Sequence, residues 1–143
     1  MKHLITTITA VVLLGCGKPS ISIHTAARQG NIKAVAAHLD YGTSVNEKNL
    51  NNKNNTPLHA AIAENKLEII KLLIQRGANV NLKNDDENTP LDFVMIIRGI
   101  ESTALELSEN YRMPLIYETL RKHGGKTGEE LKAATKPSAS QEQ

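Results

Sequence analysis

Residues 55–81 read NTPLHAAIAENKLEIIKLLIQRGANVN, and the opening four letters, Asn55-Thr56-Pro57-Leu58, return 33 positions later as Asn88-Thr89-Pro90-Leu91. A fixed interval of this size marks stacked-repeat architectures, in which one supersecondary unit is copied along the chain. The local signals inside residues 55–81 describe that unit. Thr56 is placed to cap a helix with its hydroxyl, and Pro57 suits the first helical position, where a fixed φ and a missing N–H cost nothing. Leu58, Ala61 and Ile62 then share one face at i, i+3 and i+4. Asn65 tolerates a left-handed turn, after which Leu67, Ile70, Leu73 and Ile74 mark a second amphipathic helix. Gly77 ends it, because a left-handed residue past the last turn is least strained as glycine.

The same unit can be laid over the rest of the chain. Residues 20–46, SISIHTAARQGNIKAVAAHLDYGTSVN, match residues 55–81 without gaps, placing His24 on His59, Ala26 on Ala61, Val35 on Ile70, Leu39 on Ile74 and Gly42 on Gly77. A third copy opens at Thr89-Pro90-Leu91-Asp92 and closes with Leu120 and Gly124 in the places of Leu73 and Gly77. The three units occupy 21–55, 56–88 and 89–125.

Composition agrees with close-packed helices. The chain has 143 residues, 40% hydrophobic and 22% charged, with aromatics at 3% and no Trp, so its core must be built from Leu, Ile, Val and Ala. A formal charge of +2 and scattered Lys and Arg give no electrostatic footprint for nucleic acid. With one cysteine, an intramolecular disulfide is excluded.

On TPLHAA and EIIKLLIQRGANVN the chain resembles the ankyrin repeat, and the resemblance extends over about residues 21–125. It implies an all-α solenoid of three helix-turn-helix units, with β-hairpin-like loops projecting from the helix pairs and a concave face that binds other proteins. His24 and His59, repeated by architecture, resemble the family's hydrogen-bonded brace for the helix start, and Asp92 stands there in the third copy. By position in the repeat, the family's partner-facing places fall on Arg28, Gln29, Asn52, Lys53, Asn55, Ala63, Glu64, Asp85, Asp86, Asn88, Ile96 and Ile97. Thr56, Pro57, His59, Gly77, Thr89, Pro90 and Gly124 resemble its structural positions.

The departures from the pattern carry their own expectations. The first unit has Ile21-Ser22 in place of Thr-Pro, and its loop is two residues longer than the next. Asn54 and Glu87 replace the family's turn glycine; Asn accepts positive φ, whereas Glu does so at a cost, so the second loop is expected to be distorted. Thr89 to Gly124 spans 35 residues where Thr56 to Gly77 spans 21, so fourteen extra residues lie within 98–112. That insert reads as a prolonged first helix plus a loop, with Pro114 restarting the second helix at its first position. His38, in the place of Leu73, is expected on the uncovered outer side. Thr127 with Glu130 three residues on forms a capping-box pattern for a short helix at 127–134 that closes the stack. The tail, 137–143, is small and polar, a disordered composition.

The amino terminus reads differently. Lys2, an apolar run from Leu4 to Leu14, then Gly15 and Cys16 form leader architecture, about eleven apolar residues long and too short to span a bilayer. Leu13-Leu14-Gly15-Cys16 resembles the lipobox of bacterial lipoproteins, which implies a signal peptide at 1–15, lipidation of Cys16 and a short linker at 16–20. The expected location is the bacterial cell envelope, lipid-anchored and facing the periplasm, with Gly17 instead of Asp favouring the outer membrane.

Chemistry is sparsely written. The histidines flanking His59 lie 21 and 64 residues away and there is no cysteine pair, so no structural zinc site is spelled out. Asp85-Asp86-Glu87 is a solvated loop tip, with weak calcium binding as the alternative. No cofactor is expected. The expectation is a monomeric, non-catalytic adaptor that binds another protein, with a small envelope hydrolase using His59 and loop carboxylates as the rival reading.

Overall fold

The computed structural model describes residues 18–101 and 112–135. The segment read as a leader with Cys16, most of the insert and the polar tail lie outside the described residues. Within them the chain forms seven helices: α1 (Ile23–Gln29), α2 (Ile32–Asp40), α3 (Pro57–Ala63), α4 (Leu67–Gln75), α5 (Pro90–Glu101), α6 (Arg112–Lys122) and α7 (Gly128–Thr135). Extended pairing among the described residues is confined to an isolated antiparallel bridge between Asn49 and Asn55. The architecture is the all-α repeat solenoid expected from the sequence.

Each unit is a helix pair, and the pairs stack in two layers. One layer runs α1, α3, α5; the other runs α2, α4, α6, and the members of each layer pack in that order. The amphipathic spacing produces this arrangement. Leu58, Ala61 and Ile62 of α3 and Ile69, Ile70 and Leu73 of α4 are buried, as are Leu91, Val94, Ile116 and Leu120 in the third unit and Ala26, Ala27 and Val35 in the first. No unit could cover these side chains alone, so neighbouring units bury them jointly.

Helix boundaries follow the residues read from the sequence. Thr56 and Thr127 each cap a helix start through a side-chain oxygen, and Gly42, Gly77 and Gly124 all take positive φ after the second helix of their unit; α1, where Thr-Pro is missing, is capped by Ser22 instead. Asn65, between α3 and α4, also takes positive φ at 53°. At Gly77, with φ 86°, a Cβ would meet nothing within 4 Å, so the cost of a side chain is conformational alone. Gly77→Ala is therefore expected to lose about 1–2 kcal/mol, and Gly77→Asn less because Asn visits this region more readily. Urea denaturation of the two variants checks the ordering.

Three expectations about the fold are corrected by the structure. The second loop is closed and regular rather than distorted: Glu87 takes φ 63°, while the Asn84 side-chain oxygen accepts from the N–H of Asp86 and of Asn88 at 3.0 Å each. Those two bonds hold the loop, and Lys83 pairs with Glu87 at 3.0 Å, so the loop's own polar network offsets the cost of a left-handed Glu. His38 is not on an uncovered side; it is 2% exposed, and its Nε2 donates to the Ile21 carbonyl at 2.6 Å. The segment before α1 folds over the end of the stack and encloses it. Pro114 is not the first residue of α6, which already includes Arg112 and Met113. The unpaired N–H groups of a first helical turn make proline tolerable there. The insert, by contrast, begins as the prolonged helix expected: α5 runs twelve residues where α1 and α3 have seven, and the remainder at 102–111 lies outside the described residues.

Candidate protein-binding surface

The histidine braces decide how the loops are held. His59 is fully buried. Its Nε2 lies 3.2 Å from the Asn88 carbonyl and must donate to it, which leaves Nδ1 as the acceptor for the Thr56 N–H at 3.3 Å and for the Thr56 hydroxyl at 2.9 Å. The ring also meets Phe93 edge-on, with centroids 5.2 Å apart. His24 repeats the reach, its Nε2 donating to the Glu47 carbonyl at 2.8 Å. In the third unit the Asp92 carboxylate accepts from the N–H and hydroxyl of Thr89 at 2.9 and 2.8 Å and from the Gly128 N–H at 2.8 Å. Each unit thus grips the segment that follows it, by donation from an imidazole N–H or by acceptance at a carboxylate.

Burial pushes the His59 imidazole down to about 4, with the Asn88 carbonyl opposing weakly. A base held this deep, with both nitrogens occupied, is closed to a substrate. The hydrolase reading therefore loses the group on which it relied.

A second set of contacts was not legible as such. Asn46 and Asn81 occupy equivalent positions, and each reaches the following unit: the Asn46 side-chain oxygen accepts from the Asn79 N–H at 2.8 Å, and that of Asn81 from the Lys126 N–H at 2.7 Å. Buried Asn55 and Asn84 join adjacent loops, Asn84 Nδ2 donating to Asn55 Oδ1 at 2.9 Å. The repeated Val-Asn was visible in the sequence, but the partner of an asparagine depends on stacking geometry that no local pattern contains.

These braces set out the residues read as partner-facing. Arg28 and Gln29 end α1, and Ala63 and Glu64 lie at the end of α3; all four are exposed. Arg28 and Glu64 meet at 3.3 Å. Ile96, 45% exposed, and half-buried Ile97 continue the row on α5. At the loop tips Asn52, Lys53, Asp85 and Asp86 are exposed, and Lys53 pairs with Asp86 at 2.8 Å while Asn54 donates to Asp85 at 2.8 Å. Asn55 departs from the expectation: it is 8% exposed and its side chain is taken by Asn84, so it joins loops rather than faces a partner. Asn88 is half-buried, and its carbonyl accepts from Asn84 as well as His59.

Charges on adjacent loops and helix ends thus neutralise one another in part, Lys53 with Asp86 and Arg28 with Glu64. Exposed pairs of this kind hold about 0–1 kcal/mol each and open readily toward an incoming charge. The tip acids do not converge as ligands, and among the described residues no group of three or more His, Cys, Asp or Glu gathers around a common point.

Beside the second loop, α5, α6 and α7 frame a cleft of about 680 Å³ whose floor includes Met95, Ile96 and Tyr117. Its far wall is fixed by Arg121, which meets the Glu130 carboxylate with two nitrogens at 2.8 and 3.0 Å and holds that carboxyl down at about 2. Met95 was missed in the sequence because it holds the place of buried Ile62, so its position in the repeat pointed inward, yet it is 52% exposed.

Comparison with known proteins settles the family. A model of three consecutive ankyrin repeats matches residues 10–112. The chain belongs to the ankyrin-repeat family. Its ankyrin units are similar to those of an ankyrin repeat-containing protein of Schizosaccharomyces pombe, at 37% identity over 49% of this chain and 33% of that one. An ankyrin repeat protein of fowlpox virus is 35% identical over 70% of this chain and 30% of its own length. The E3 ubiquitin-protein ligase KEG of Arabidopsis thaliana is 29% identical over 74% of this chain and 6% of its own. The chain spans a third or less of these relatives. Ankyrin repeats are protein–protein interaction modules, and that is the level of function the family supplies. No helix among the described residues is long and apolar enough to cross a membrane.

Proposed function

We propose that this chain is a non-catalytic, monomeric ankyrin-repeat adaptor, tethered to the bacterial cell envelope by a lipid on Cys16 and facing the periplasm, where it binds another protein. The observation that carries the binding role is the row of exposed side chains repeated across three units, Arg28 and Gln29, then Ala63 and Glu64, then Ile96, on braced helix ends beside braced loop tips. Pre-organised side chains on a rigid scaffold lose little freedom on binding, so a modest surface of this kind can hold a partner. The charged pairs at either end add recognition: Arg28 with Glu64, and Lys53 with Asp86, can each exchange an internal partner for an external one.

The tether rests on Leu13-Leu14-Gly15-Cys16 in front of the repeats, with Gly17 favouring the outer membrane. Four residues separate Cys16 from Ile21, a reach of about 17 Å of extended chain over five steps, so a lipid there would keep the stack at the bilayer surface. Several acyl chains make such attachment durable where one does not.

Two measurements test the proposal. Mass spectrometry of the native amino terminus should find an acylated Cys16, and an intact Met1 would remove the tether. A tagged chain carrying Arg28→Glu and Lys53→Glu should capture its envelope partner roughly tenfold less well than the wild type while its circular dichroism is unchanged. Undiminished capture by that variant would remove the proposed surface.

A further inference from the structure

We infer that the amino-terminal end of the stack docks on an anionic phospholipid surface, with Leu50 entering the headgroup region and Lys18 and Lys48 meeting lipid phosphates. The inference rests on the tether proposed at Cys16 and adds an orientation to it.

Leu50 sits in the loop that is two residues longer than its counterpart, and it is 85% exposed. A lone surface leucine is ordinary in itself; here its position gives it meaning. Leu50, Lys48 and Lys18 line one cleft of about 480 Å³ at the start of the stack. Lys18 is two residues past Cys16, at most about 7 Å of extended chain. The segment between is anchored from its other side, since buried His38 holds the Ile21 carbonyl at 2.6 Å. A lipid on Cys16 is therefore delivered to the rim of this cleft and cannot swing to the far end of the molecule.

The chemistry of the rim matches that location. Two lysines face one acid, Glu47, whose backbone carbonyl is occupied by His24. Cations beside an exposed aliphatic side chain are the pattern that settles at a headgroup boundary, the cations at phosphates and the apolar group below them. Docked this way, the stack stands with its first unit on the membrane and α7 is at the opposite end, while the acids nearest the docking loop, Asp85 and Asp86, are engaged by Asn54 and Lys53.

The test uses the lipidated full chain in vesicles of phosphatidylethanolamine and phosphatidylglycerol. Acylation consumes the only native cysteine, so Leu50→Cys offers a single free thiol for an environment-sensitive fluorophore, with Glu129→Cys on α7 as the control. The probe at 50 should shift to the blue and be quenched by bromolipid, while the probe at 129 stays water-like. In the unlipidated Cys16→Ser chain, Leu50→Asp should weaken binding to phosphatidylglycerol vesicles roughly tenfold, and Lys48→Glu roughly fivefold. An acylated chain whose probe at 50 remains in water overturns the inference, and so does shielding of that probe by a second copy when no vesicles are present. Absence of acyl mass on Cys16 overturns the tether reading instead, and is seen before any vesicle is added.

Discussion

Leu73→Ala is expected to lower the stability of the whole stack by about 2–5 kcal/mol, enough to populate the unfolded chain at room temperature for a domain of ordinary stability. Leu73 is fully buried in α4, the helix with neighbours on both sides, α2 and α6. The substitution removes apolar burial and leaves a cavity at an interface shared by all three units. Leu120→Ala is the matched comparison, since Leu120 holds the equivalent place in the third unit and is equally buried. In a linear array, damage at an end can be shed locally, whereas damage at the centre uncouples both neighbours. Urea titration followed by circular dichroism should therefore move the entire Leu73→Ala transition to lower urea and split or broaden that of Leu120→Ala. Equal, single transitions for both would contradict the one-dimensional coupling argued from the packing.

The second large effect is one of acid. His59 has its imidazole pushed down to about 4 from 6.5 by burial, so the folded chain resists a proton that the unfolded chain accepts. The neutral ring stabilises the fold fully above pH 6.5; that stability begins to be lost as the pH drops below 6.5 and is gone below about 4. The gap corresponds to about 3 kcal/mol. The structural cause is the requirement that Nδ1 accept from the Thr56 N–H while Nε2 donates to Asn88, an arrangement that an imidazolium cannot satisfy at Nδ1. Unfolding free energies measured from pH 7.5 to 4 should fall more steeply for the wild type than for His59→Gln. A His59 ring that titrates near 6.5 by nuclear magnetic resonance would contradict the burial argument.

Much of the fold was legible because repetition turns a weak local signal into a strong one. Thr56-Pro57 and Thr89-Pro90 marked two helix starts, and Gly42, Gly77 and Gly124 marked three helix ends, each with positive φ in the structure. What escaped was non-local. His38 looked uncovered because the residue that covers it, Ile21, lies 17 positions earlier in a segment without helical pattern. Asn55 looked like a contact residue because position in the repeat says nothing of the buried side chain, Asn84, that claims it. Glu87 looked like a poor turn residue because its support is a side chain three residues before it, the Asn84 oxygen that accepts from the N–H groups of Asp86 and Asn88 on either side.

The binding surface was legible in outline for the same reason. Arg28, Glu64 and Ile96 follow the repeat and emerge exposed, while Met95 emerges exposed at the place of buried Ile62, and the cleft beside it is closed by α7, which lies outside the three units. The braces explain why such a surface can be small. His59 and Asp92 lock each loop to the helix beside it, so the tips meet a partner already ordered.

The most direct test of this account places a photo-cross-linking residue at position 64, on the exposed end of α3, or at position 71, on the solvent side of α4, and irradiates the tagged chain in native envelopes. The account predicts a partner cross-linked from 64 and not from 71, since the layer of α1, α3 and α5 carries the contact row. Cross-linking from 71 with none from 64 would place recognition on the opposite layer and contradict it.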